Sequence, residues 1–223
     1  MKKKVFIVGS AVDGLIEFPD EAVIYVANSA ISRINPILDH KLVHVTSVNI
    51  LDPEIIKTEE HLITRRKALI NRSPVEQIIY PSFTKMDLSV YKYNEMNYSP
   101  ALITLVSQSK FWKLILRAAG ISTLKYSLFQ DKGLLYNSLR LIKHLFGYPI
   151  VPYFIPSTGI LALLMAIDKY GLEAEYILDG FNPSSKDFWY EGKHFVASSD
   201  KPPHTDSIIL KYLEKKYILS YNL

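Results

Sequence analysis

Cysteine is absent from the sequence, which removes disulfide frameworks, thiolate metal sites and thiol nucleophiles together. Long apolar runs are missing too. The longest, Ile160 to Ile167, falls far below the roughly 20 residues that span a bilayer. At the amino terminus Met1 and three lysines lead into the apolar stretch Val5 to Val8, broken at once by Gly9 and Ser10. That is too short for a secretory leader, and no small-residue cleavage site follows. A cytoplasmic protein, at most peripheral to the inner membrane, is expected. There is no helix-turn-helix, zinc knuckle or ribonucleoprotein signature, so no nucleic acid partner is expected. Internal repeats and low-complexity segments are likewise absent.

What is present suffices for one buried core: 223 residues, of which 48% are apolar, fit a single domain over 1–223. The 15 tyrosines and 10 phenylalanines suit either a thick core or a pocket that stacks on rings. A net charge of +4 is mild. It suits an anionic nucleotide sugar, a phosphorylated glycan or an acidic membrane surface.

Short runs rich in β-branched residues recur at Val5 to Val8, Ala22 to Ala27, Leu42 to Val45, Gln77 to Tyr80 and Ala174 to Leu178. Each has strand length. Between them, Ile55, Ile56, Leu62, Ile63, Leu69 and Ile70 repeat every seven residues, the period of an amphipathic helix lying on a sheet. Alternating strands and helices predict an α/β fold, a mostly parallel sheet with helices on both faces. Residues 85–150 read as an insertion or a small helical and loop lid, with apolar helices near Ser109 to Ala119 and Leu134 to Phe146. The last third reads as a helix from Thr158 to Tyr170, the strand at Ala174, a polar active-site loop over 182–203, a helix from Thr205 to Tyr217 and a closing strand from Ile218 to Tyr221.

Several segments carry chemistry-bearing residues. The first strand ends in Gly9, Ser10, Ala11, Val12, Asp13 and Gly14. Two glycines are too few for a dinucleotide fingerprint, and the segment is either a plain turn or a place where a nucleotide approaches the backbone. Asn28 follows the second strand, and either reads a base or ribose or caps the next helix. Thr46 and Ser47 end the third strand, so three neighbouring strand ends offer small polar groups. Ser157, Thr158 and Gly159 open the most apolar helix, either as a phosphate cradle or as an ordinary serine cap. The loop after Gly180 holds Asn182, Phe188, Trp189, Tyr190 and His194 and closes on Pro202 and Pro203. Its length and aromatic content fit a lid. His204 next to Thr205 is a general base or a surface histidine.

In their order along the chain these segments resemble the small bacterial sialyltransferases and their relatives that transfer Kdo or other ulosonic acids from CMP. The likeness covers residues 4–47 and 157–223 best. It implies a Rossmann-like, sialyltransferase-like variant of the GT-A fold, and an inverting, metal-independent glycosyltransferase. The donor would be a CMP-activated acidic sugar and the acceptor a glycan or lipid-linked glycan, as in bacterial polysaccharide or lipooligosaccharide synthesis, with no further cofactor. The resemblance also leaves room for a homo-oligomer. It places Gly9, Ser10, Asn28, Thr46, Ser157, Thr158, Gly159, Gly180 and Asn182 at the nucleotide. Tyr190 would stabilise the departing phosphate and His204 would be the base. Two departures stand out: Ser10 and Ala11 replace the family's usual Asn-Gly, and Lys201 stands where some relatives carry the catalytic histidine. The alternatives are a retaining transferase with Asp13 or Asp179 as nucleophile, and a non-catalytic nucleotide- or glycan-binding module.

Overall fold

The computed structural model describes residues 2–9, 14–35, 41–47, 75–80, 102–106, 108–121, 138–139, 142–143, 145–146, 156–181, 187–190, 193–196 and 204–222. Nine strands occur among them. In chain order they are β1 (Lys3–Val8), β2 (Val23–Ala27), β3 (Lys41–Ser47), β4 (Glu76–Tyr80), β5 (Leu102–Leu105), β6 (Ala174–Asp179), β7 (Asp187–Tyr190), β8 (Lys193–Val196) and β9 (Ile218–Asn222). The named helices are two 3₁₀ helices, at Asn28–Arg33 and Gly171–Glu173, and α1 (Gln108–Ala119), α2 (Thr158–Tyr170) and α3 (His204–Leu213).

Seven strands form one sheet in the order β5-β4-β3-β2-β1-β6-β9, and every neighbouring pair in it is parallel. The expected α/β class is therefore present. Side chains alternate across a strand, so the register sorts them onto two faces. Val5, Ile7, Val23, Tyr25, Val43, Val45, Ile78, Tyr176 and Leu178 share one buried cluster with all three α-helices. The opposite parity, Phe6, Val8, Ile24, Val26 and Leu42, is buried as well, as the strands of a parallel sheet require. On that face Phe6 meets Phe18 edge to face at 5.2 Å.

The ten residues Thr158–Ile167 at the start of α2 are all buried. Each fully buried leucine or isoleucine there contributes about 1.5–3 kcal/mol, enough to fix the helix against β1, β2 and β3, on which it packs. Ser157 caps it, its hydroxyl accepting from the Ile160 amide. It ends at Gly171, whose φ of +56° favours glycine, and whose N–H bonds the Ile167 carbonyl.

Three expectations need correction. Residues 102–121, read as part of a lid, belong to the body of the fold: β5 is the edge strand of the sheet beside β4, and Leu114, Ile115, Ala118 and Ala119 of α1 are buried in the main cluster. The run Leu102–Leu105 is four residues long, a length at which period alone does not separate a strand from a piece of buried helix. The loop 182–203 contains an antiparallel hairpin, β7 with β8, in which Phe188 pairs with Phe195 and Trp189 with His194. The aromatic residues there have the β propensity that a reading by polarity overlooks. Helix α3 stops at Leu213, short of Tyr217, and residues 214–217 form a turn into β9. The amphipathic segment 55–70 lies outside the described residues. All three described α-helices join the cluster on one face of the sheet.

Candidate functional site

In a parallel sheet all carboxyl ends lie along one edge, and ligands bind where the strand order reverses. Here β2 to β5 run out on one side of β1, and β6 and β9 on the other. The reversal therefore falls between β1 and β6, at Gly9 and Gly180.

These two glycines sit against each other. A Cβ on Gly9 would lie 2.4 Å from the Gly180 carbonyl oxygen, and one on Gly180 would lie 2.6 Å from the Gly9 carbonyl oxygen. Glycine is needed because two backbones touch, and the Gly180 φ of +64° adds a second reason. The Gly9 N–H donates to the Asp179 carbonyl at 2.7 Å. A ligand at this turn would therefore meet the Gly9 Cα rather than its amide.

The crevice beside the pair is filled by Arg33, the last residue of the 3₁₀ helix. Its Nη1 donates to the Gly9 carbonyl at 2.8 Å and its Nε to the Gly14 carbonyl at 3.2 Å. Its Nη2 pairs with Asp179 Oδ1 at 2.7 Å. The other carboxylate oxygen, Oδ2, accepts from Asn222 Nδ2 at 2.8 Å. With Arg33 7% and Asp179 6% exposed, this is a buried, multiply bonded ion pair that clamps the ends of β1, β6 and β9 together.

A second network centres on Asn28. Its φ of +48° is a left-handed conformation in which Asn is enriched among non-glycine residues. The side chain turns across to α2: Nδ2 donates to Thr158 Oγ1 at 2.6 Å. Oδ1 accepts from Thr46 Oγ1 at 3.3 Å. The Asn28 carbonyl accepts from Nε2 of the fully buried His44 at 3.0 Å, which fixes that ring's tautomer. Asn28 is the first residue of the 3₁₀ helix, and the capping position before it is Ala27, which has no side-chain cap.

The start of α2 closes the ring. The Ser157 N–H donates to Asp206 Oδ1 at 2.9 Å, so the first turn of α3 is tied to the first turn of α2. A carboxylate here also complements the positive end of the α2 dipole. Gly159 lies under the Phe181 ring, which a Cβ would approach to 2.8 Å.

Of the residues singled out in the sequence, Gly9, Asn28, Thr46, Ser157, Thr158, Gly159 and Gly180 thus meet at one edge of the sheet. Ser10, Asn182 and Asp13 lie outside the described residues. Tyr190 ends β7, a strand that runs beside the 3₁₀ helix, and His204 opens α3 two positions before Asp206. Asp179, the candidate nucleophile, has both oxygens engaged. Sequence reasoning missed Arg33, His44 and the tie made by Asp206. An arginine five residues after Asn28 carries no mark of burial in the sequence, and only its placement inside a short helix after a buried strand turns it inward.

Burial also acts on the tyrosines beneath this edge. It pushes the hydroxyls of Tyr25 and Tyr176 above the usual tyrosine value of 10.0, with Tyr170 and Glu76 adding to the effect at Tyr25. The Tyr176 hydroxyl donates to the Gly171 carbonyl at 2.7 Å. Neither is a proton carrier near neutral pH.

Among the described residues, no group of three or more His, Asp and Glu could hold a metal ion, and no helix is long and apolar enough to cross a membrane. The described polar groups at this edge are amides, hydroxyls, the His44 imidazole, the Asp206 carboxylate and the Arg33–Asp179 ion pair. No protein-family model matches the chain, and neither does any curated protein or solved structure.

Proposed function

We propose that this chain is a glycosyltransferase of the sialyltransferase-like kind, Rossmann-like in its sheet, that takes an acidic sugar such as sialic acid, Kdo or a related ulosonic acid from CMP. One observation carries the reading: Asn28 and Thr158, 130 residues apart, share a 2.6 Å hydrogen bond at the carboxyl edge of the sheet. The end of β2 and the start of α2 are thereby brought within reach of a single small nucleotide. Thr46 joins them from β3, and the Gly9–Gly180 contact forms the floor of the same edge.

The chemistry follows from the donor. A CMP-sugar carries one phosphate on its anomeric carbon, so hydrogen bonds from hydroxyls and a helix start suffice for the leaving group without a metal. His204 takes the proton of the acceptor hydroxyl. The acceptor oxygen bonds to the anomeric carbon as the bond from that carbon to the phosphate oxygen breaks, and CMP departs toward Ser157, Thr158 and Tyr190. General-base help of this kind is worth about 100- to 10,000-fold in rate. The tie between Ser157 and Asp206 favours the placement of residue 204 beside the α2 start. A retaining reaction through Asp179 is disfavoured, because that carboxylate is held by Arg33 and Asn222.

The test begins with a thermal-shift and calorimetric comparison of CMP, UDP, GDP and NAD, since a ligand that binds the folded state raises its stability. CMP alone should bind among the four. Release of CMP from a CMP-ulosonic acid donor, lost in His204→Ala with CMP binding retained, is the expected second result. Binding of CMP without any turnover would leave a nucleotide-binding module, and no CMP binding would remove the reading altogether.

A further inference from the structure

The helical turns within 138–146 leave four large apolar side chains in water. Leu139 is 54% exposed, Ile142 47%, Leu145 76% and Phe146 78%. The Phe146 N–H is shared between the carbonyls of Ile142 and Lys143 at 3.3 and 3.1 Å, so the last turn is closed. At the helical angle per residue these four positions fall within one sector of about 120°. Exposed apolar residues scattered singly need no explanation, but a contiguous stripe of them marks an interaction surface. The expectation of a lid helix over residues 134–146 does not account for a stripe turned to solvent.

Charge decides what covers it. From Lys132 to Ile167 the sequence holds no aspartate or glutamate, while Lys132, Arg140, Lys143 and His144 are present, and Lys143 borders the stripe and is exposed. An apolar stripe with basic and no acidic neighbours has the make-up of a helix that lies in a membrane interface. A second copy of this chain is a poor occupant, because a two-fold contact would bring the same acid-free, basic segment against itself. We propose that the stripe of Leu139, Ile142, Leu145 and Phe146 docks on an anionic phospholipid surface, the four side chains entering the headgroup and acyl boundary and Lys143 at its border meeting lipid phosphates. This goes beyond the glycosyl-transfer reading and does not depend on it.

The full chain is sedimented with vesicles of pure phosphatidylcholine and with vesicles containing phosphatidylglycerol, at low and high salt. Binding is expected to the anionic vesicles, and to weaken as salt screens the lipid charge. Leu145→Ser with Phe146→Ser should lower the partition coefficient by about tenfold or more, and Lys143→Gln by roughly fivefold. Leu116→Ser on α1, also exposed, should leave binding unchanged, and unaltered melting curves check that each variant folds. The proposal is overturned by an absence of binding to anionic vesicles, or by binding that the double serine variant leaves intact. It is equally overturned by light scattering that shows a dimer which the double serine variant dissociates, an outcome that assigns the stripe to a second copy.

Discussion

Replacing Arg33 by methionine tests whether the buried clamp between β1, β6 and β9 holds the candidate site in shape. Methionine keeps most of the length, so the crevice stays filled and the cavity cost is small. What goes is the charge and three bonds, to Asp179, the Gly9 carbonyl and the Gly14 carbonyl. Asp179 remains 6% exposed with only the Asn222 amide on one oxygen. Removing one partner of such a pair costs about 3–5 kcal/mol, because the other charge stays buried without compensation. For a chain of this size a urea slope of about 2–3 kcal/mol per molar turns that into a midpoint about 1–2 M lower. Asp179→Asn added to Arg33→Met should recover about half of the loss, since the uncompensated charge is gone and the Gly9 carbonyl remains without its donor. Equilibrium urea unfolding of the four proteins in this cycle gives each value, with unchanged slopes as the check on two-state behaviour. A loss under about 1 kcal/mol for Arg33→Met, or a double variant no more stable than the single, refutes the reasoning.

The remaining predictions separate steric, electrostatic and ionisation effects. Gly9→Ala drives a Cβ to 2.4 Å from backbone and should cost about 3 kcal/mol or more. Gly120→Ala meets nothing within 4 Å and suffers only its φ of +66°, about 1–2 kcal/mol; thermal melts should rank them in that order. Asp206→Asn keeps an oxygen for the Ser157 N–H but withdraws the negative charge from the α2 start. CMP affinity measured by calorimetry should therefore rise, and a fall would place the phosphate elsewhere. At high pH the sign follows from the tyrosines. Tyr25 and Tyr176 ionise above 10.0 when folded and near that value when unfolded, so the unfolded state loses protons first and stability falls as pH climbs. Each should withdraw about 1.4 kcal/mol between pH 9 and pH 11, and Tyr25→Phe should flatten the slope in urea titrations across that range.

How much of this was legible beforehand depends on whether the signal was local. Strands β1, β2 and β3 announce themselves because strands buried on both faces read as near-continuous apolar runs, β4 and β6 because their apolar runs have strand length, and α2 because ten buried positions in a row leave no polar face. The edge strand β5 and the β7–β8 hairpin stayed hidden because each is four residues long, where period alone does not separate strand from helix or loop, and each adjoins a stretch whose polarity reads as irregular. The site divides in the same way. Asn28, Thr46 and Ser157 to Gly159 are visible because each follows a strand or opens a helix, where an unpaired backbone and a free edge are guaranteed by geometry. That the Asn28 amide would choose Thr158, or Arg33 choose Asp179, depends on contacts across 130 and 146 residues, and no spacing rule reaches so far.

The two hubs also divide the labour at this edge, and that division bears on where a ligand fits. Around Arg33 the guanidinium meets the Asp179 carboxylate and the Gly9 and Gly14 carbonyls, with Arg33 and Asp179 both buried, and it already occupies the space at the strand reversal where a phosphate approaches in many open α/β sheets. Such a clamp gives shape and no recognition. Around Asn28 the partners are short hydroxyls and an imidazole, Asn28 itself is only partly buried, and the left-handed backbone stores strain of the order of 1–3 kcal/mol that the surroundings must hold in place. Strain kept at a partly open amide is what a recognition position requires, whereas a pure scaffold would relax it by glycine. Asn28→Gly is therefore the informative substitution: it relieves the backbone, so stability should change by less than about 1 kcal/mol once the two lost bonds, to Thr158 and from Thr46, are set against it. CMP affinity should nevertheless drop by about tenfold, the worth of one or two hydrogen bonds. Equal affinity in the glycine variant would move the recognition site away from β2 and leave the network around Asn28 as scaffold alone.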